Sequence, residues 1–281
     1  MSTELSTITQ AEIDELAKLS GADPTLNSQE RTPTLKVNYN AEDAQENRLP
    51  LGQWFVTDQE VPVYAKTVRI RPLQMHYQYT HYDSDEEKFI NQTVFATSFY
   101  EDFLDEKGGV RCGRPDSKTL KDMTDDRKAM YKDISCTRRI SCLVSYTGED
   151  KDGNEHTVEN MPVVLNLRGA NFMAFDDQFY KKLPRGRKMW DFWTELSLTK
   201  EKKGSVTYYV IGYTTDMNVP VALDRDVVDT IRHFSTLTSQ QNDAIIKKHK
   251  ASMSGKSSED FDEGFIPDGA DLEGDFDEIP F

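Results

Sequence analysis

From Thr67 to Arg71 apolar and polar residues alternate, so that Val68 and Ile70 share one face of an extended strand and Thr67, Arg69 and Arg71 the other. Strand-like runs rich in Val, Ile, Thr, Tyr, Phe and Trp occur at 53–57, 62–71, 74–82, 91–99, 138–147, 161–168, 190–199 and 205–215. Turn formers separate many of them: Gly108-Gly109, Gly148 to Gly153, Gly169 and Lys203-Gly204. This pattern predicts a mainly β body built as a small barrel with long insertions, closure being how such sheets remove exposed edges.

Helical patterns are fewer. Thr9 and Glu12 fit a capping box, Ile13 and Leu16 share a face, and Gly21 is a stop, which predicts a short helix over 9–20. Residues 21–50 are polar, contain Pro24 and Pro33, and read as an arm or linker. Residues 117–132 and 172–182 are candidates for short helices. Val227, Val228, Ile231, Phe234, Ile245 and Ile246 predict one or two helices over 224–250, ending in Lys247-Lys248-His249-Lys250, where cations suit a helix C-terminus. The resulting division is an N-terminal arm at 1–30, a body at 31–222, a helical segment at 223–251, and a linker and acidic tail at 252–281. That tail is expected to be disordered, because it cannot bury enough apolar surface to fold alone.

Charge sharpens this division. Of the net charge of −15, ten negative charges fall in 257–281, which has no base, and a net of five in 1–50. The stretch 51–256 is therefore neutral overall, and a neutral body can carry a basic groove. No apolar run approaches the roughly 18 residues a membrane helix needs, and Met1-Ser-Thr-Glu-Leu-Ser-Thr lacks the features of a signal peptide. A cytoplasmic protein with no membrane partner is expected. Cys112, Cys136 and Cys142 are odd in number and widely spaced, which predicts reduced thiols rather than a disulfide framework.

The tail holds a near-repeat: Asp-Phe-Asp-Glu followed by Ile-Pro occurs within 259–267 and again within 274–281. In the final copy Asp275, Asp277 and Glu278 can reach cations on a partner. Ile279, Pro280 and Phe281 make a compact apolar wedge, and the carboxylate of Phe281 adds an anchor beside its ring. The proline lowers the backbone entropy lost on docking.

Asp275-Phe276-Asp277-Glu278-Ile279-Pro280-Phe281 closely resembles the C-terminal tip of bacterial single-stranded DNA-binding proteins. The resemblance covers under a tenth of the chain. It implies an OB-fold that coats single-stranded DNA non-specifically during replication, recombination and repair, with the tip recruiting partner enzymes of those processes. The body is longer than that family's, and the arm and the segment 224–250 are extra. The layout looks more like a bacteriophage single-stranded DNA-binding protein carrying a host-like tip, which would act in the host cytoplasm.

Strand binding of this kind needs cations for phosphates and aromatic faces for bases. Lys66, Arg69, Arg71, Tyr77 and Tyr79 offer both, provided the register survives Pro72; a bulge there separates the tyrosines from the arginines. The most basic segment runs from Lys181 to Trp190. Its Lys181, Lys182, Arg185, Arg187 and Lys188 sit around Pro184 and Gly186 in a predicted loop, with Trp193 beyond as a stacking candidate. Arg138, Arg139 and the pair Tyr208-Tyr209 are weaker candidates, since only one of two adjacent strand residues can face a groove.

No phosphate loop, His-Glu-x-x-His or Gly-x-Ser-x-Gly occurs. The cysteines and His76 and His81 are poorly spaced for zinc, and Asp176-Asp177 reads as surface charge rather than a magnesium site. A binding protein with no catalytic residues, cofactor or metal is expected. The competing reading is an adaptor that presents the tip to redirect host enzymes without binding DNA.

Overall fold

A computed structural model of the chain describes residues 32–42, 48–83, 86–98, 103–107, 121–129, 131 and 133–254. The helix expected at 9–20, Cys112 and the tail from Gly255 onward, with its tip at 275–281, lie outside the described residues.

The body is mainly β and antiparallel. Two short strands, β1 (Leu35–Val37) and β2 (Trp54–Val56), pair with each other. Six longer ones form the main sheet: β3 (Val68–Asp83), β4 (Lys88–Gln92), β5 (Ile134–Glu149), β6 (Glu155–Leu167), β7 (Thr194–Lys203) and β8 (Val206–Thr214). Their order is β6-β5-β3-β7-β8, with β4 beside the far end of β3. The α-helices α1 (Asp125–Ala129), α2 (Gly169–Gln178) and α3 (Arg225–Met253) also lie among the described residues.

β3 organises the sheet. The two runs expected at 62–71 and 74–82 are one strand interrupted by a bulge: Pro72 pairs with Cys142 and Gln74 with Ser141, leaving Leu73 as the extra residue. A bulge of one residue inverts the side-chain parity beyond it. Val68 and Ile70 therefore share a face with Met75, Tyr77 and Tyr79, whereas Arg69 and Arg71 lie on the other. Of the two outcomes the sequence left open at Pro72, the bulge is the one that occurs, and it separates Arg69 and Arg71 from the tyrosines.

The inner face carries the main core, in which Trp54, Ile70, Ile140, Val144, Leu165, Phe175, Phe179, Phe192 and Leu196 are almost fully buried. On the outer face Leu73, Leu143 and Val164 are covered by Val227 and Phe234 of α3. α3 is capped by Asp224, whose side chain accepts the Val227 N–H at 2.9 Å, satisfying one orphan donor of the first turn. A single helix thus occupies 225–253.

Among the described residues no ladder joins β6 to β8, so the sheet is open along that side. The segment around β1 and β2 reaches both borders. The N–H of Val164 in β6 donates to Pro33, and Gly52 lies so close to β8 that a Cβ there would fall 2.5 Å from the Tyr209 ring. Its φ of +65° also favours glycine. The outer edge of β8 is closed by α2: the side chains of Asn171 and Gln178 accept the N–H groups of Ile211 and Tyr213, a way of blunting an edge strand.

Candidate nucleic-acid interface

The basic loop is held at both ends and open between them. A single 3-10 turn at Tyr180–Lys182 leads in and another at Met189–Asp191 leads out. Leu183 and Met189 pack on the main core. Between them the N–H of Arg187 donates to Pro184 at 3.0 Å, and Gly186 has φ +83°, the left-handed setting that this turn position demands. Lys181, Lys182, Arg185, Arg187 and Lys188 are all exposed. Lys181 lies 2.6 Å from Asp177, and that hydrogen bond raises its pKa. Arg187 stands 4.0 Å from Asp191.

Asp191 connects this loop to a cleft. Its backbone carbonyl accepts the N–H of Val221 at 2.7 Å, and Val221 lines a cleft of ≈ 470 Å³ together with Val219, Trp193 and Arg69. Glu195, Thr214 and Asp216 supply its polar wall. Arg69, Glu195 and Thr214 are register partners across β3, β7 and β8, which places them on one face. The Arg69 guanidinium sits 5.2 Å from the centre of the Trp193 ring, within cation–π range. Trp193 is itself half-buried against the Leu73 and Phe234 cluster, which fixes the ring. Lys66 is exposed just ahead of β3.

Other expected contacts are committed elsewhere. Arg71 is buried, donating through Nε to the Trp190 carbonyl at 2.7 Å and through Nη2 to Ala222 at 2.8 Å. Burial lowers its pKa, opposed by nearby Asp224 and Asp191. Arg138 is 1% exposed and forms a two-bond pair with Asp176, both distances 2.8 Å. Tyr77 is buried beside it against Phe172. Arg139 is buried, bonding Gln241 of α3 at 3.0 Å, and Tyr79 packs edge-on against Phe103 at 5.1 Å. Contrary to the expectation from sequence, Arg71, Tyr77, Arg138 and Arg139 present no surface to a strand, because their side chains serve the interior. Cys136 and Cys142 lie on the same inner parity as Arg138, and burial pushes the Cys136 thiol up to about 12. Among the described residues no group of three or more His, Cys, Asp or Glu stands close enough to hold a metal ion, and no helix is long and apolar enough to cross a membrane.

A second aromatic patch was only half visible in the sequence. Tyr209 stacks edge-on with the exposed Tyr39 at 5.4 Å, and Lys200 is its direct cross-strand partner. Tyr208, on the other face, donates to Glu201 at 3.1 Å. The alternation of Lys200 and Lys202 along β7 is the signal that marks this patch; Tyr39, from a distant segment, carries none.

Comparison with protein-family models, curated proteins and solved structures gives no match.

Proposed function

We propose that this chain binds single-stranded DNA without requiring a defined sequence, as a coating protein of replication, recombination and repair, and recruits partner proteins through Asp275–Phe281. The observation that carries the reading is the exposed cationic loop 181–188, pinned at both ends and joined through Asp191 to a cleft where Arg69 covers Trp193. Asp177 and Asp191 stand beside Lys181 and Arg187, but two carboxylates do not balance five exposed cations in one short loop, and a phosphate backbone supplies a row of anions. Trp193 supplies an aromatic face, worth roughly 1–3 kcal/mol per stacked base.

The strand order supports an OB-type body. β3, β5, β6, β7 and β8 follow the connectivity of a five-stranded, partly open Greek-key barrel, with α2 between the third and fourth of these strands and packed under the core. The resemblance of the tip to that of bacterial single-stranded DNA-binding proteins, and of the layout to phage ones, points the same way.

The test is a salt titration of oligo-dT binding. Replacing Lys181, Lys182, Arg185, Arg187 and Lys188 with alanine is expected to weaken binding and flatten its salt dependence, by about 0.7 in the log–log slope for each phosphate that is no longer neutralised. An unchanged slope places the strand elsewhere. No binding by the unaltered chain leaves the adaptor reading, in which the tip alone acts.

A further inference from the structure

We infer that the Arg69–Trp193 cleft is a pocket for one nucleobase bearing an exocyclic amino group, so that the bound strand is biased in composition toward such bases over thymine or uracil. The inference rests on the strand-binding reading above and goes beyond it, because a purely sequence-tolerant surface needs only cations and rings.

The polar wall is what distinguishes this cleft. Its volume, ≈ 470 Å³, lies within the range of about 300–1,000 Å³ typical of small-molecule sites. A pocket for phosphate would be lined with donors, whereas this one carries two carboxylates, Glu195 and Asp216. Phosphate is repelled there and belongs on the neighbouring loop. Carboxylates accept hydrogen bonds from amino groups such as the N4 of cytosine or the N6 of adenine, and face the carbonyl at the same ring position of uracil or thymine with like polarity.

Arg69 completes the pattern. It stands directly across the ladder from Glu195, yet among the described residues the two form no ion pair within 4 Å, and the guanidinium lies over Trp193 instead. A base inserted against the indole would meet a cation for its ring acceptors and a carboxylate for its amino group. Cytosine presents those acceptors and that donor side by side; uracil replaces the donor with an acceptor. Asp216 is oriented by an Asx turn in which it accepts the Asn218 N–H at 2.9 Å, and Val219 and Val221 line the cleft with apolar surface.

The cleanest probe is a pair of homopolymers of equal length, oligo-dC and oligo-dU, which differ in the amino group and the ring nitrogen beside it. Binding to the full chain is read by tryptophan fluorescence. Trp54 is fully buried, so quenching reports on Trp190 and Trp193. Oligo-dC is expected to bind at least about fivefold more tightly than oligo-dU, the lower end of what one good base-edge contact discriminates. Glu195→Gln with Asp216→Asn should bring the ratio close to one by strengthening oligo-dU binding, and Trp193→Phe should remove most of the quench. Equal affinity for the two oligomers in the unaltered chain, or a preference that survives the double substitution, overturns the pocket while strand binding stands. Failure of both oligomers to bind overturns strand binding and the pocket together.

Discussion

Arginines in this body have two fates, and burial decides between them. Arg138 is enclosed, with its guanidinium 4.3 Å from the Phe172 ring and both ends bonded to Asp176; Arg69, also on a central strand, is exposed beside a cleft. A buried guanidinium cannot give up its partner cheaply, since removing one member of such a pair leaves an uncompensated charge. Asp176→Ala is expected to lower stability by about 3–5 kcal/mol, seen as a fall in the urea midpoint at unchanged m-value. A loss below about 1 kcal/mol, the range of surface pairs, would show that Arg138 is better solvated than its surroundings imply. The neighbouring Asp177 has no such role: it holds the exposed Lys181 at the entrance to the basic loop.

At the scale of elements, α3 is what turns an open sheet face into a closed one. Val227, Ile231, Phe234, Thr238 and Ile245 recur at helical spacing and face inward. This stripe is thin for 29 residues, and polar anchors supplement it. Asn242 donates to the Phe95 carbonyl and accepts the Phe95 N–H, His249 bonds the Asp105 carbonyl, and Gln74 reaches Ile231 and Ser235. The helix therefore ties the sheet to the insertion that follows β4. Phe234, 2% exposed, plugs its centre over Leu73 and Leu143. Phe234→Ala should cost about 3–5 kcal/mol and leave one cooperative urea transition. Two separated transitions would mean that α3 folds independently of the sheet.

For the whole molecule the decisive quantity is how charge is distributed. A neutral body with an exposed cationic loop is covalently joined to ten acids within 257–281. Tethering holds a segment at an effective concentration of about millimolar for a short linker, so the tail is expected to compete with DNA for the loop. Deleting 257–281 should tighten strand binding at low salt, and the gain should shrink as salt screens the charges. Phe281→Ala changes no charge; it should leave DNA affinity unchanged and abolish recruitment of tip-binding partners in a pull-down with the DNA-bound complex. A tail deletion that binds DNA no more tightly at low salt would sink the competition.

The sequence alone determined the β-rich character, the basic loop around Pro184 and Gly186, and the helical character of 224–250, because each depends on residues near one another in the chain; that one helix rather than two runs there came from the structure. β-branched and aromatic runs suit a pleat, clustered charge stays exposed, and helical spacing appears within a few turns. Strand ends were less legible. β6 begins at Glu155 rather than 161 because Val158 is the one apolar residue among its first six, and β7 begins at Thr194 rather than 190 because a 3-10 turn takes up Met189 and Trp190. Tertiary structure decided which side chains belong to the candidate site. One extra residue at Leu73 moved Tyr77 and Tyr79 to the inner face, and α3 and α2 buried Arg139 and Arg138. Trp193 and Arg69, far apart in sequence, meet at one cleft through the β3–β7 ladder. Parity and cover are set by partners distant in the chain, and local pattern carries no record of them.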